Sequence, residues 1–346
     1  HEKLVPFNNP EKMAKAVIEI LKDKELGLIK TPKRTAEYII SKVGPIKEGE
    51  KVLDPCVGPG VFVKSLLEAG VDRRQIFTHD LDDSYHENMD GRGVHFEAKD
   101  TLSSITPESH DQFDFIVGNP PYLNKASAYV RKHKKELRNL YGHVNSHETY
   151  AMFLVNGIWR LKEGGRLGFI TSDSFLTLKT HEKLREFLLD HCLIHELLLA
   201  PEGLFDGQGV STSPAILIVE KCTGHENAVK RKQHVMRVIP RIRSEKRYEN
   251  PPKINEIRQE KYHILPFKVF FTDIEPGIVE MFKQGDKLKK HVRGYIGMHT
   301  HDNMRYIAAI EGSELAEIFQ KRNRRKKDGE KRYRIISEKE FKEGQW

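Results

Sequence analysis

The sequence predicts a doubly wound, mainly parallel α/β sheet, and three observations carry that prediction. Short apolar runs alternate with amphipathic helical stretches through residue 222 of the 346, the pattern of repeated strand and helix units. Two of the strand-like runs stop abruptly in turn residues, Asp54-Pro55-Cys56-Val57-Gly58-Pro59-Gly60 and Asn119-Pro120-Pro121-Tyr122. Successive strand-like runs end in an acid, and in open α/β sheets the ligand crevice lies beyond the carboxyl ends of the strands.

In chain order, residues 10–26 read as a helix with Met13, Val17, Ile18 and Leu21 on one face. Residues 27–32 lead into a helix over 34–43, with Thr31 as its cap and Pro32 in its first turn. Residues 51–54 read as a strand, 58–60 as a glycine turn and 61–69 as a helix. Strands follow at 75–80 and 94–100, ending in Asp80 and Asp100, with Asp82 and Asp83 as rivals to Asp80. The apolar strand from Phe113 breaks at Pro120-Pro121, because proline cannot donate to a ladder. An amphipathic helix over 147–162 stops at Gly164-Gly165, and strand 166–171, helix 181–191 and strands 194–199 and 214–220 complete the alternation.

The chemistry lies in the two turns. The Asn119 side-chain oxygen and the Pro120 carbonyl are acceptors and poor bases; aimed at one exocyclic amino group, they would hold its N–H bonds and turn its lone pair toward an electrophile. Tyr122 adds a face for a planar base. At the first turn, Gly58 and Gly60 admit a close backbone approach, and Asp54 supplies an acceptor suited to a cationic group. A dinucleotide or nucleoside triphosphate turn fails on detail: there is no G-x-G-x-x-G, and no Lys-Ser/Thr follows. The amino group or sulfonium region of S-adenosyl-L-methionine fits, with Asp80 for the ribose hydroxyls and Asp100 for the adenine amino group.

Asp-Pro-Cys-Val-Gly-Pro-Gly-Val-Phe at 54–62, followed by Asn-Pro-Pro-Tyr at 119–122, resembles the S-adenosylmethionine-dependent amino-methyltransferases, in particular the gamma-ordered adenine-N6 DNA methyltransferases of restriction-modification systems. The resemblance covers residues 27–222. It implies a Rossmann-like seven-stranded methyltransferase sheet whose strand at 214–220 is antiparallel, with a basic C-terminal extension or partial recognition domain. It also implies that Thr31 and Pro32 line the methionine end of the cofactor, that Pro55 and Phe62 belong to the cofactor turn, and that Leu81 flanks the adenine. The catalytic set is then Asn119, Pro120, Pro121 and Tyr122. Phe205 stands where such enzymes place an aromatic against an adenine flipped out of double-stranded DNA, so that it and Tyr122 would sandwich the base.

Composition agrees. Residues 1–223 hold 29 Lys and Arg against 32 Asp and Glu, whereas residues 224–346 hold 29 against 18, so the net charge is −3 before the boundary and +11 after it. A basic second half suits a polyanion. Between Tyr122 and Tyr141, Lys125, Arg131, Lys132, Lys134, Lys135 and Arg138 are interleaved with Tyr129, His133 and Tyr141, either a flap over nucleic acid or a solvated helix. Three cysteines, without C-x-x-C spacing, give neither a disulfide framework nor a structural zinc site, and Cys56 reads as a small buried thiol. His143, His147 and Glu148 lack a third clear metal ligand in a chemistry that needs none. No apolar run approaches membrane-spanning length, so a cytoplasmic protein with no membrane partner is expected.

The expected organisation is a catalytic domain at 1–223, a charged linker at 224–261 broken by Pro240, Pro251 and Pro252, and the start of a target-recognition domain at 262–346. Its glycine-bearing opening is read at 293–306, and the basic run 321–327 is a candidate phosphate binder. The chain starts at His1 and ends at Trp346, short of a complete recognition domain, so a recognition or restriction subunit, or a nuclease domain outside this sequence, is expected to contribute. The competing readings are methyl transfer to a release-factor glutamine or an RNA guanine amino group, and a non-catalytic DNA-recognition subunit.

Overall fold

Burial with a period of two divides the side chains of each central strand between two cores. Val52, Phe115, Val117, Ile170, Ile216 and Ile218 enter one core; Leu53, Ile116, Leu167, Phe169, Leu217 and Val219 enter the other. The computed structural model of the chain describes residues 27–145, 147–208, 213–275, 308–324 and 334–337, with positions 277, 280 and 339. The sequence expectations at 10–26, at 293–306 and at 325–327 lie outside the described residues.

The strands are β1 (Val52–Asp54), β2 (Ile76–Asp80), β3 (His95–Ala98), β4 (Phe113–Gly118), β5 (Leu161–Ser172), β6 (Cys192–Leu199), β7 (Pro214–Lys221), β8 (Val235–Ile239) and β9 (Asn255–Arg258). They form one sheet in the order β3-β2-β1-β4-β5-β7-β6-β8-β9. The pairs from β3 to β5 are parallel, and β7 runs antiparallel to both β5 and β6. The first seven strands are therefore the expected doubly wound sheet with its reversed seventh strand. The chain winds outward from β1 to β3, returns and continues through β4 on the other side. Its switch point falls between β1 and β4, where both turns stand.

The helices Lys33–Val43 and Val61–Glu68 pack in one core, and Thr149–Arg160 and Glu182–His191 in the other. Gly168 on β5 lets the first of these helices lie close, since a Cβ there would stand 2.6 Å from Ile39 Cγ2 and 2.7 Å from Val43 Cγ1. Pro32, not Thr31, caps that helix: its carbonyl accepts from the amides of Thr35 and Ala36, and no side chain caps the end. The helix before β5 stops at Arg160 rather than at the glycine pair. Leu161 already pairs with Phe113, and the intervening residues bulge so that Arg166 faces Phe115.

Residues 224–261, expected as a linker, contribute β8 and β9 to the sheet. β8 runs parallel to β6, with Glu196 opposite Arg237, and β9 runs antiparallel to β8. Exposed residues alternate with buried ones in β8, so its polar half gives the sequence a solvated look while Met236, Val238 and Ile239 are buried. Thr35 donates to Glu245 and shares a 2.9 Å hydroxyl contact with Tyr248, and Arg34 pairs with Glu249 at 2.8 Å, joining this segment to the first helix. The chain divides into a unit at 1–284 and one at 285–346. In the second, β10 (Ala308–Ile310) pairs in parallel with β11 (Arg334–Ile336) beside the helix Glu314–Arg324, around Ala309, Ala316 and Phe319, with Ile335 packed against them.

Gly168→Ala should lower stability by about 1–3 kcal/mol in urea unfolding, by pushing the Lys33–Val43 helix off the sheet. An unchanged denaturation midpoint would show that this close approach is not needed.

Candidate active site

β4 ends at Gly118, and the two prolines after Asn119 cannot extend its ladder, so the chain leaves the sheet at Asn119, beside the end of β1. A cavity of about 750 Å³, part of it open to solvent, lies over these strand ends. Pro55 and Cys56 after β1, Asp80 and Leu81 at the end of β2, Asp100 after β3, and Asn119 and Pro121 after β4 all line it.

Asn119 is fixed by the segment before the first helix. Its Nδ2 donates to the Ile29 carbonyl at 3.1 Å and to Thr31 Oγ1 at 3.0 Å. Its Oδ1 is buried and has no hydrogen-bond partner. With the nitrogen tied, the free oxygen is an acceptor held ready for a donor. The Lys30 amide donates to Gln208 Oε1 at 2.6 Å and the Lys30 carbonyl accepts from Gln208 Nε2 at 3.0 Å, which joins the same segment to the loop bearing Phe205. Thr149, on the other core's helix, donates its hydroxyl to the Pro121 carbonyl and accepts from the Leu123 amide at 3.0 Å.

Tyr122 turns away from the cavity. Its ring meets Tyr150 at 6.1 Å and 70°, and Phe205 at 6.2 Å and 72°. Its hydroxyl is buried without a partner, and burial pushes its pKa up. The two rings are in edge contact, leave no parallel slot between them, and neither lines the cavity. Phe205 is also a core residue, 2% exposed.

The acids separate by position. Asp80 faces the cavity, accepting the Gly58 amide at 2.8 Å on Oδ2 and the Asp82 amide at 2.9 Å on Oδ1; burial raises its pKa. Asp82 instead caps the short turn at Ser84, and it does not line the cavity. Asp100 also faces the cavity, where both its oxygens accept the Tyr129 hydroxyl at 2.9 Å. Asp54 lies beneath the floor: it is 1% exposed, takes the Cys56 amide at 3.2 Å on Oδ1 and leaves Oδ2 unpaired. Burial pushes it up to about 8, against the pull of the Cys56 amide and with the help of the nearby Asp80 charge.

Gly58, Gly60 and Phe62, expected at the ligand, are not among the residues lining the cavity. Gly58 and Gly60 have φ of +48° and +82°, and a Cβ would stand 2.9 Å from Leu28 at the first and 2.6 Å from Arg92 at the second. Phe62 is buried in the core. The sequence reading missed Leu28, Ile29, Tyr85, Tyr129, Thr149 and Phe153, which line the cavity from distant segments. Tyr129 lay in the basic and aromatic run after the second turn, Leu28 and Ile29 in the segment before the first helix, and Thr149 and Phe153 in the helix expected over 147–162, none of them marked as a site residue.

Within that run the helices Ala128–Lys132 and Lys134–Tyr141 leave Lys125, Arg131, Lys132, Lys134, Lys135 and Arg138 exposed. Tyr141 is not available for stacking on a ligand: it is fully buried, donates to the Leu102 carbonyl at 2.7 Å and stacks on Trp159 at 5.5 Å. His143 also stacks on Trp159, while Glu148 faces His181. The Cys56 thiol is held well above its usual pKa by burial, then by Asp54 and Asp80, so it stays protonated and a poor nucleophile.

An open sheet with this strand order, a reversed seventh strand and a cavity at its switch point is the methyltransferase architecture. Residues 63–205 match the model of the Eco57I restriction-modification methylase family. The chain is 30% identical over 194 residues to the type II methyltransferase M.HincII of Haemophilus influenzae, across 55% of this chain and 36% of that protein. It is 25% identical over 282 residues to M.BstVI of Geobacillus stearothermophilus, across 67% of this chain and 48% of that one. The chain thus spans between a third and a half of the length of these relatives. Among solved structures, the type IIG restriction endonuclease BpuSI superposes with a TM-score of 0.54 at 19% identity, over 72% of this chain and 33% of that one. DrdV, solved in complex with DNA, gives 0.54 at 16% identity, over 77% and 33%. The resemblance to restriction-modification methyltransferases drawn from the two motifs is borne out.

Asp54 gives a pH test. Its pKa in the fold, about 8, exceeds the ordinary 3.8, so the folded chain keeps a proton that the unfolded chain releases, and stability falls as pH rises through that window. Asp54→Asn should remove this slope in melting temperatures of the ligand-free chain. A difference between variant and parent that stays constant with pH would mean the carboxyl is ionised in the fold.

Proposed function

We propose that this chain is the catalytic part of a DNA methyltransferase of a restriction-modification system, transferring a methyl group from S-adenosyl-L-methionine to the N6 amino group of an adenine flipped from double-stranded DNA. The observation that carries the reading is Asn119: its nitrogen is tied to Ile29 and Thr31, and its buried oxygen has no partner at the cavity edge. That oxygen and the Pro120 carbonyl accept the two N–H bonds of the amino group and leave the nitrogen lone pair directed at the methyl donor. Tyr122 supplies the face for the base and Phe205 the adjoining wall, once the two rings part.

The cavity suits the cofactor by its donor set. Asp80 offers carboxylate oxygens to ribose hydroxyls, Leu81 an apolar surface to the adenine, and Asp100 an acceptor to the adenine amino group that Tyr129 now occupies. Thr31 and Pro32 hold the neighbouring segment in place, and Asp54 beneath Pro55, its Oδ2 unpaired, would favour a cationic group above it in its ionised form. When bound, S-adenosyl-L-methionine supplies a methyl group activated by a sulfonium.

The matched relatives are type II methyltransferases, which favours DNA over a release-factor glutamine or an RNA guanine. The exposed basic residues at 125–138 stand beside Tyr129 at the cavity and would bind phosphates. No helix among the described residues is long and apolar enough to cross a membrane, and DNA as substrate places the reaction in the cytoplasm. A recognition or restriction subunit, or a nuclease domain outside this sequence, would complete the system.

Labelled methyl transfer to duplex DNA, RNA and release-factor protein in parallel, followed by nucleoside analysis, tests the reading. N6-methyladenine in DNA is expected; cofactor binding with no label in any substrate would favour the recognition-subunit reading. Asn119→Ala should lower transfer by at least about a hundredfold while cofactor binding is largely kept, and normal transfer by this variant would overturn the assignment. Lys134→Ala and Lys135→Ala should each lower the slope of log affinity for DNA against log salt by about one unit, with cofactor affinity unchanged. An unaltered slope would remove this face from the DNA path.

A further inference from the structure

We infer that His181, which no sequence motif marks, is a positioning residue for methyl transfer: it sets the aromatic wall at Tyr122 through Tyr150 and Glu148. The inference rests on the methyl-transfer reading above.

His181 is fully buried, and its two ring nitrogens have different partners that fix its tautomer. Asn145 Oδ1 accepts the His147 amide at 2.8 Å, which orients the Asn145 amide so that Nδ2 faces His181 Nδ1 at 2.9 Å. Nδ1 therefore accepts, and the proton sits on Nε2. Nε2 lies 2.8 Å from the Tyr150 hydroxyl with hydrogen-bond alignment, and 2.7 Å from Glu148 Oε2 as an electrostatic contact without that alignment. The Tyr150 hydroxyl accepts from Nε2–H, and the Glu148 carboxylate and the Ser172 and Ser174 hydroxyls lie around it. Hydrogen bonds thus run in one direction from Asn145 through His181 to Tyr150, with Glu148 beside them as a charged contact on His181.

This chain ends on the catalytic turn from two sides. The Tyr150 ring meets Tyr122 at 6.1 Å and 70°, and Thr149, between Glu148 and Tyr150, grips the Pro121 carbonyl and the Leu123 amide. His181 does not line the cavity, so it touches no substrate atom and acts only through these neighbours. An apolar side chain would fill its place without burying so many polar groups; what the imidazole adds is a fixed rotation of Tyr150 and a fixed place for the start of the Thr149–Arg160 helix.

Two variants separate the arms of the ring. Glutamine places an N–H near the position of Nε2 and keeps the bond to Tyr150; asparagine reaches only the position of Nδ1 and keeps the bond to Asn145. His181→Asn should lower kcat for methyl transfer to DNA by about tenfold to a hundredfold, with cofactor affinity and the KM for DNA within about threefold of the parent. His181→Gln should stay within about threefold in all three. Tyr150→Phe, which removes only the hydroxyl, should match the asparagine variant and stands in for it if that variant does not fold. Equal losses in the asparagine and glutamine variants, or full rates in both, would overturn the inference. If the parent chain transfers no methyl group to DNA, the functional reading fails separately, and crystal structures of the two His181 variants then decide. A Tyr122 ring displaced in the asparagine variant alone supports the inference; rings unmoved in both overturn it.

Discussion

The polarity of one side-chain amide governs the site. Asn119 has one donating and one accepting end, and only the accepting end is useful toward an amino group. The Ile29 carbonyl and the Thr31 hydroxyl both take from Nδ2, which fixes the amide with Oδ1 free. The rest of the site follows from keeping residues 28–31 where they can do this. Lys30 is locked to Gln208 through both of its backbone groups, Leu28 packs where Gly58 has no Cβ, and Pro32 starts a helix seated against the bare backbone of Gly168. Segments far apart in sequence thus converge on one nitrogen.

Much of this was legible from residues 51–62 and 113–122, because proline and glycine punctuate a strand in ways that local chemistry dictates. Asp80 and Asp100 were legible for a similar reason: a strand end in a parallel sheet is a defined place, and the structure puts both at the cavity. Asp54 is the strand-end acid expected of that turn, but it is buried rather than lining the cavity. It lies beneath Pro55, since β1 is central and its last residue is covered on both faces. Gly58 and Gly60 do not line the cavity, and their empty Cβ positions face protein side chains, which spacing cannot reveal. Tyr129, Thr149 and His181 act through contacts that only the folded chain creates.

The electrostatics around the cavity are uneven. Burial raises the proton affinity of Asp54 and of Asp80, beneath and beside the cavity, the Asp80 charge adds to the effect on Asp54, and the thiol of Cys56 stays neutral. Asp100 is instead satisfied by a tyrosine hydroxyl from the basic segment. A ligand amino group arriving at Asp100 must share that carboxylate with Tyr129, which ties the cavity to the outer face where the lysines stand.

The sheet does not end where the familiar seven strands end. β6 is an eight-residue run of mostly buried apolar side chains, and β8 covers its outer edge while Arg237 meets the buried Glu196. A boundary drawn after residue 223, where composition changes, would cut a continuous hydrogen-bonded surface. It would bare a long, flat, leucine-rich edge of unpaired N–H and C=O groups, the kind that recruits strands from other molecules. The segment that looks like a tether is, in effect, the hem that keeps this sheet from fraying into its neighbours.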